Sequence, residues 1–316
     1  MKIAFQIDPI ENLKILTDSS LALMEASLRA NINVFFYYPQ TLSLLNNKIV
    51  AVVYKLNSMN LTLQPYFNYS EANVNLNDMD IILLRQDPPF DMSYITSTFL
   101  LEKLNPKVLI LNNPASVRNS PEKLLVTNFS HLMPKTLISS HYNYIYDFLN
   151  THKKCVIKPL YGNAGSDVFY LDINDFNAKS IIQYFLHNFK EQIIIQEFLP
   201  NVSKGDKRII LLNGEPIAFF HRIPSAGQIK SNLASGGTAV LSTLNNKEIE
   251  ICNELKPTLQ KLGLFFVGID VIDNLLTEIN VTSPTGLRAW EKLSGENLSD
   301  EIIKQMILLK NNQKDL

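Results

Sequence analysis

Apolar and polar positions alternate along the first third of the chain with two different periods. KIAFQI, NVFFYY, DIILLR and KVLILN are apolar runs of strand length, whereas DSSLALMEASLRA and SYITSTFLLEKL repeat their apolar residues at helical spacing. KIVAVVYKLNSMNLTLQ is less regular and reads as a hairpin. Strands alternating with helices predict a parallel sheet whose ligand face lies at the strand carboxyl ends. Three polar segments leave those ends: DPIENLKILTDSS, RQDPPFD and NNPASVRN. Taken singly, each is an ordinary connection.

After Ser120 the pattern changes. Ser120-Pro121-Glu122-Lys123 reads as a helix start, with Ser120 as cap and Pro121 at the first helical position. KCVIKPLYGNAGSDVFYL predicts a hairpin around a glycine-bearing loop, KSIIQYFLHNFK a helix, and IIIQEFLPN and KRIILLNGEPIAFFHRI antiparallel strands. A flexible segment, PSAGQIKSNLASGGTAV, separates these from the helix EIEICNELKPTLQKLG, and residues 310–316 read as a polar tail. The expected fold class is therefore α/β followed by α+β.

Two strands close the chain, in FFVGIDVIDNLL and LTEINVTSPTGL, with the turn signal Asp273-Asn274 between them. With a loop of Asp273 to Leu275, Asp270 falls opposite Glu278, and alternation puts Glu278 and Asn280 on one face. Like charges opposed across a strand pair are destabilising. A bound cation would remove that penalty, and two carboxylates with one amide form an all-oxygen set suited to Mg²⁺. The alternative is a solvated edge face.

Composition narrows the function classes. Twenty-nine Lys and Arg against 30 Asp and Glu leave a formal net charge of -1, so no global field advertises a nucleic-acid or anionic-membrane partner. Asp8 and Pro9 interrupt the N-terminal apolar run, which argues against a signal peptide, and no apolar run reaches the roughly 18 residues of a membrane span. Cys155 and Cys252 are the only cysteines, which disfavours a disulfide framework and makes the cytoplasm the expected compartment. The P-loop, GxGxxG, HExxH, GxSxG and CxxC signatures are all missing from the sequence.

What remains suits phosphoryl transfer. Lys158 precedes a loop with Gly162 and Gly165, where an ammonium and backbone N–H groups meet phosphates. Glu197 and Leu199 end an apolar strand in the manner of a purine-binding hinge. Lys207 and Arg208 in GDKR, with Arg222 beyond the NGEP turn, bring cations toward a transferring phosphoryl group. Individually these are a surface lysine, a strand end and solvated arginines; their combination is what points to a site.

Together, IDPIENLKILTDSS, RQDPPFD, NNPASVRNSPEKL, VIKPLYGNAG, LPNVSKGDKRIILLNGEP, SNLASGG and FVGIDVIDNLLTEINVTSPTGLR resemble the prokaryotic glutathione synthetases of the ATP-grasp superfamily over nearly the whole chain. The resemblance implies a Rossmann-like pre-ATP-grasp domain over residues 1–121 and an ATP-grasp domain over 122–316, with a lid lobe at about 133–199. It implies ATP-dependent joining of γ-glutamylcysteine to glycine through an acyl phosphate, in a cytoplasmic homotetramer. Lys123 and Lys158 then match the nucleotide lysines, and Gly162, Gly165, Glu197, Leu199, Lys207 and Asn280 fall in the nucleotide-binding segments. Asp270, Glu278 and Asn280 match the ligands of Mg²⁺ or Mn²⁺. Arg208 and Arg222 match the arginines near the reacting groups, while Asp18, Ser19, Arg85, Asp87, Ser283, Thr285 and Arg288 match segments around the peptide and glycine sites.

The small loop departs from the family pattern at Ala164, where a positive φ would cost roughly 1 kcal/mol. Lys230 and Thr238 replace usual arginines in the larger loop, residues 224–240, which is expected to close over the acyl phosphate and exclude water. Two further readings stay open at this level: another ATP-grasp carboxylate–amine ligase with a different substrate, and a nucleotide-binding module without catalysis.

Overall fold

The computed structural model describes residues 1–161, 167–225, 231–233 and 236–314. The N-terminal strands are β1 (Lys2–Gln6), β2 (Asn33–Tyr37), β3 (Ser43–Leu45), β4 (Lys48–Val50), β5 (Val53–Met59), β6 (Phe67–Ala72), β7 (Ile81–Leu84) and β8 (Leu109–Leu111). Six of them form one sheet in the order β6-β5-β2-β1-β7-β8. Its β2-β1-β7-β8 half is parallel, and β5 and β6 extend it antiparallel. The single hairpin expected over KIVAVVYKLNSMNLTLQ is instead split, since β4 pairs back to β3 while β5 pairs forward to β6.

Helices α1 (Ser19–Arg29), α2 (Met92–Leu101) and α3 (Pro114–Asn119) follow β1, β7 and β8. Asp18 caps α1 by accepting from the backbone N–H groups of Ser20 and Leu21, and Asp91 and Asn113 cap α2 and α3 in the same way. NNPASVRN, read as a loop, is thus largely helical. Ser120 ends α3 rather than capping α4 (Glu122–Leu125), whose N-cap position is held by Pro121.

A four-stranded sheet, β11-β10-β12-β9, is built from β9 (Thr136–Ser139), β10 (Lys154–Pro159), β11 (Phe169–Asp172) and β12 (Ile193–Glu197). Helices α5 (Tyr142–His152) and α6 (Ala178–Asn188) cover one face, and Ile145, Leu149, Ile157, Ile182, Phe185 and Ile195 form its core. A five-stranded sheet, β15-β14-β13-β16-β17, contains β13 (Asp206–Leu212), β14 (Glu215–Ile223), β15 (Thr238–Leu241), β16 (Phe266–Ile272) and β17 (Leu275–Asn280). Helix α7 (Asn246–Lys261) packs on it, started by a capping box between Asn245 and Glu248. Helices α8 (Leu287–Ser294) and α9 (Leu298–Lys314) return the chain to α1. Residues 310–314 of the expected polar tail form the last turn of α9, where Lys310 is buried and bonds the carbonyl of Lys107.

Asn112 ties the sheets together. Its side-chain amide donates to the carbonyls of Phe266 and Val281, both at 2.8 Å, and its oxygen accepts from the Phe266 N–H at 2.7 Å. All three partners belong to the closing hairpin or its exit, so the carboxyl end of the parallel sheet is held against the β16–β17 pair.

Candidate functional site

The closing hairpin places two carboxylates face to face. Asp270 and Glu278 are register partners, but the loop that joins their strands is shorter than the spacing suggested. Ile272 pairs Leu275 across a two-residue turn, Asp273-Asn274, with both φ values positive (52° and 62°), the turn type that suits the right-handed twist of a hairpin. A register shift between Asp270 and Val271 then absorbs Thr277, whose hydroxyl donates to the Asp270 carbonyl at 3.0 Å. The bulge restores the opposition that a three-residue loop would have produced.

Cations compensate the opposed charges. On β13, Arg208 Nε donates to Asp270 Oδ1 at 2.6 Å and its Nη2 to Oδ2 at 3.2 Å. Arg222 on β14 reaches the same Oδ1 at 3.0 Å and holds Asp206 in a two-bond clamp, with Nε 2.7 Å from Oδ1. Lys158 on β10 approaches Glu278 Oε1 at 3.2 Å. Burial alone would raise the pKa of Asp270, but Arg208 and Arg222 overcome it and hold the group at about 2. Glu278 is likewise raised by burial and brought below the ordinary carboxylate range by Lys158 and Lys123. Both stay ionised at neutral pH, as metal ligation requires.

These groups line a cavity of about 390 Å³ between the four-stranded and five-stranded sheets. Of the residues expected at a site, Lys123, Lys158, Glu197, Leu199, Arg208, Arg222, Asp270, Glu278, Asn280, Asp87, Ser283 and Thr285 all line it. Glu197 also accepts from the Lys135 N–H at 3.0 Å, which fixes the end of β12. Burial lowers the pKa of Lys123, Lys158 lowers it further, and Glu278 and Glu122 restore part of it.

Lys207 is not brought to the cavity. Alternation along β13 turns Asp206 and Arg208 one way and Lys207 the other, where its ammonium donates to Glu248 Oε2 at 2.6 Å and to the Thr243 carbonyl at 2.8 Å. Asp18, Ser19, Arg85 and Arg288 are not among the residues that line the cavity. Asp18 caps α1, Ser19 Oγ accepts from Leu287 N–H at 3.3 Å, and Arg288 pairs with Glu25 at 2.8 Å. Arg85 is buried, donating to Ser20 Oγ and to the Pro284 carbonyl, and among the described residues its Nη1 has no hydrogen-bond partner. Gly162, Ala164, Gly165 and Lys230 lie outside the described residues. Thr238 opens β15.

Several lining residues were not singled out in advance, among them Glu122, Asp206 and Thr282, whereas Ser231, Asn232 and Leu233 belong to the loop expected to close over the site. Asp206 had a signal, its position two residues before Arg208 on one strand. Glu122 had none, since a four-residue helix shows no period. Its carboxyl accepts from Thr282 Oγ1 at 2.9 Å, and burial, reinforced by Glu278, pushes its pKa up to about 7.

The donor set fits a hard divalent cation. Asp270, Glu278 and Asn280 supply oxygen only, and the Asn280 amide donates to Asp270 Oδ2 at 3.4 Å, which places it beside the carboxylate. Among the described residues no cluster of three His, Cys, Asp or Glu side chains forms a cage. Such an open set is what Mg²⁺ uses when phosphate oxygens and water complete its shell.

Comparison with known proteins places this geometry. The family model of the prokaryotic glutathione synthetase ATP-grasp domain matches residues 122–295, and that of the prokaryotic glutathione synthetase N-terminal domain matches residues 1–118. Glutathione synthetase from Rhodopseudomonas palustris is 46% identical over 303 residues, covering 96% of each chain. That from Agrobacterium fabrum is 44% identical over 298 residues, covering 94% of this chain and 93% of its own. Among solved structures, a D-cycloserine synthetase superposes with a TM-score of 0.70 at 14% identity, covering 99% of this chain and 100% of its own. The ATP-grasp ligase PsnB, complexed with a minimal precursor, Mg and ADP, superposes at 0.62 with 12% identity and 98% coverage of both chains. At those identities the structural likeness is one of fold, the ATP-grasp fold.

Proposed function

The chain belongs to the prokaryotic glutathione synthetase family, and from that membership we propose that it is the ATP-dependent ligase joining γ-glutamylcysteine to glycine. The observation that carries the reading is the ionised Asp270–Glu278 pair, ringed by Lys158, Arg208 and Arg222 in one cavity between two sheets. A cleft of opposed carboxylates and converging cations suits a polyphosphate with its metal and an anionic reacting group.

A free carboxylate is a poor acceptor for an amine, so the cysteinyl carboxylate first takes the γ-phosphoryl group of ATP. The glycine nitrogen then attacks the carbonyl carbon of the acyl phosphate; the C–N bond forms, the C–O bond to phosphate breaks, and phosphate departs. Lys123 and Lys158 hold the nucleotide phosphates, while Glu197 and Leu199 at the end of β12 receive the purine. Arg208 and Arg222 stabilise the negative charge that builds on the transferring group. Asp270, Glu278 and Asn280 would hold Mg²⁺ or Mn²⁺, which would supply positive charge against the phosphates when bound. Asp87, Ser283 and Thr285 face the substrate end of the cavity, with Asp18, Ser19, Arg85 and Arg288 supporting its wall. Ser231, Asn232 and Leu233 line the same cavity, which suits the exclusion of water that would hydrolyse the acyl phosphate.

The division at residues 121 and 122, with a lid lobe over about 133–199, is part of the same reading, as are a cytoplasmic location and a homotetramer. Among the described residues no helix is long and apolar enough to cross a membrane. Sedimentation equilibrium should give about four times the 35.9 kDa chain mass; a monomer would remove the tetramer.

The deciding experiment follows ADP and tripeptide mass with ATP, Mg²⁺ and γ-glutamylcysteine, with and without glycine. Glycine-dependent ADP matched one-to-one by glutathione supports the assignment. ATP binding without glycine-dependent turnover would move it to another acceptor.

A further inference from the structure

Gly268 lies on β16 two residues before Asp270, paired with Ile210 on one side and Asn280 on the other. It is not there for an unusual backbone angle, because it is not among the positive-φ glycines. A Cβ at this position would lie 3.0 Å from Arg208 Nη1, 3.1 Å from Pro284 Cβ and 3.5 Å from Arg208 Cδ. Two of the three nearest atoms thus belong to the arginine that bonds Asp270, and the third to the chain leaving β17.

The Arg208 side chain therefore runs across the bare backbone of Gly268. From that seat Nε and Nη2 meet the two oxygens of Asp270, and Nη1 donates to the Thr285 carbonyl at 3.3 Å. These three bonds aim the guanidinium at the metal carboxylate and tie it to the substrate end of the cavity. A methyl group at 268 would require Arg208 Nη1 and Pro284 Cβ each to give by a few tenths of an ångström, at the nitrogen that bonds the Thr285 carbonyl. Pro284, a ring in the 281–286 segment, cannot yield without moving Thr285 as well.

We propose that Gly268 is a positioning residue for the reaction, holding open the channel in which Arg208 lies so that the guanidinium keeps its register with Asp270 and Thr285. The inference rests on the proposed role of Arg208 and adds to it the residue that sets its geometry. Misplacement of a reacting group by about 1 Å costs on the order of 10²-fold in rate. Gly268→Ala, whose contacts demand a shift of a few tenths of an ångström, is expected to lower kcat about 3- to 10-fold while the KM for ATP stays within about twofold.

The test is a double-mutant cycle of Gly268→Ala with Arg208→Lys, reading kcat, both KM values, thermal midpoint, and the Nε–H resonance of Arg208. Lysine keeps the charge but has neither Nη1 nor a rigid plane to clash. Gly268→Ala should therefore cost at most about twofold in the Arg208→Lys background, and in the Arg208 background it should shift the Nε–H resonance. If the two losses multiply independently, or if the resonance stays where it was, Gly268 does not act through Arg208 and the proposal falls while the ligase assignment stands. If Arg208→Lys keeps full kcat, the role given to Arg208 fails and the positioning role fails with it.

Discussion

Asp270 and Glu278 differ in how firmly each is tied to protein cations, which separates structural from chemical roles. Asp270 is bonded by two buried arginines, whereas Glu278 meets Lys158 at 3.2 Å, has Lys123 in the same cavity and is only partly buried. Glu278→Gln keeps the shape, relieves repulsion with Asp270 and removes one of the two carboxylates proposed to hold the metal. Turnover should drop at least about 10²-fold, a range that loss of one preorganised charge reaches, and the magnesium titration should move to higher concentration. Near-normal turnover with an unchanged magnesium curve would remove Glu278 from the metal site. Asp270 bears instead on acid stability. Its folded pKa, about 2, lies below the ordinary 3.8, so ionisation favours the folded state. That contribution is complete above about pH 4 and is lost as pH falls from 4 to 2; it is worth about 2 kcal/mol. Denaturant unfolding across that window should show a shallower slope for Asp270→Asn than for the parent chain. At this scale the sequence was informative where strand alternation applied. It set Asp270 opposite Glu278 and grouped Glu278 with Asn280, but Lys207 was placed in the site beside Arg208 because GDKR was read as a motif preceding the strand, whereas β13 begins at Asp206 and alternation separates the two.

Among elements, legibility followed periodicity. Long apolar runs such as β13 and β16 and amphipathic helices such as α1 and α7 stand where their patterns put them. The failures are short or mixed. Helix α3 has six residues and is started by an asparagine cap in what read as a polar loop. Strands β3 and β4 are three residues each, too short to show alternation. The last turn of α9 is polar in sequence because tertiary contacts, including the buried Lys310, decide its state. The bulge at Thr277 is the instructive case, since the expected opposition of Asp270 and Glu278 holds with a different loop. Asn112 supplies a test of how elements are joined. Asn112→Ala would leave the Phe266 N–H and two carbonyls without their partners, at a cost of about 2–4 kcal/mol. Urea unfolding should show a lower midpoint with an unchanged m-value. An unchanged midpoint would mean that water replaces the amide and that the hairpin is held by packing alone.

At the scale of the whole molecule, the cavity is a meeting place of three units, with no single unit sufficient for it. Lys158 and Glu197 come from the four-stranded sheet with Leu199 just beyond β12, Arg208, Arg222, Asp270, Glu278 and Asn280 from the five-stranded sheet, and Asp87 from the loop after β7. A ligand touching all three stabilises their arrangement as well as each part. Nucleotide with magnesium should therefore raise the unfolding free energy by the linkage amount, about 2.7 kcal/mol at a ligand concentration 100 times its dissociation constant. ATP with a chelator should give less, because the phosphates then meet Asp270 and Glu278 without a cation between them. In Glu278→Gln the difference between the two conditions should shrink, since the carboxylate that repels bare phosphate and attracts the metal is gone. Differential scanning fluorimetry over nucleotide and magnesium concentration reads all three. Equal stabilisation by ATP with and without magnesium in the parent chain would mean that the nucleotide is held by the lysines alone. The Asp270–Glu278 pair would then stand outside the nucleotide's electrostatics.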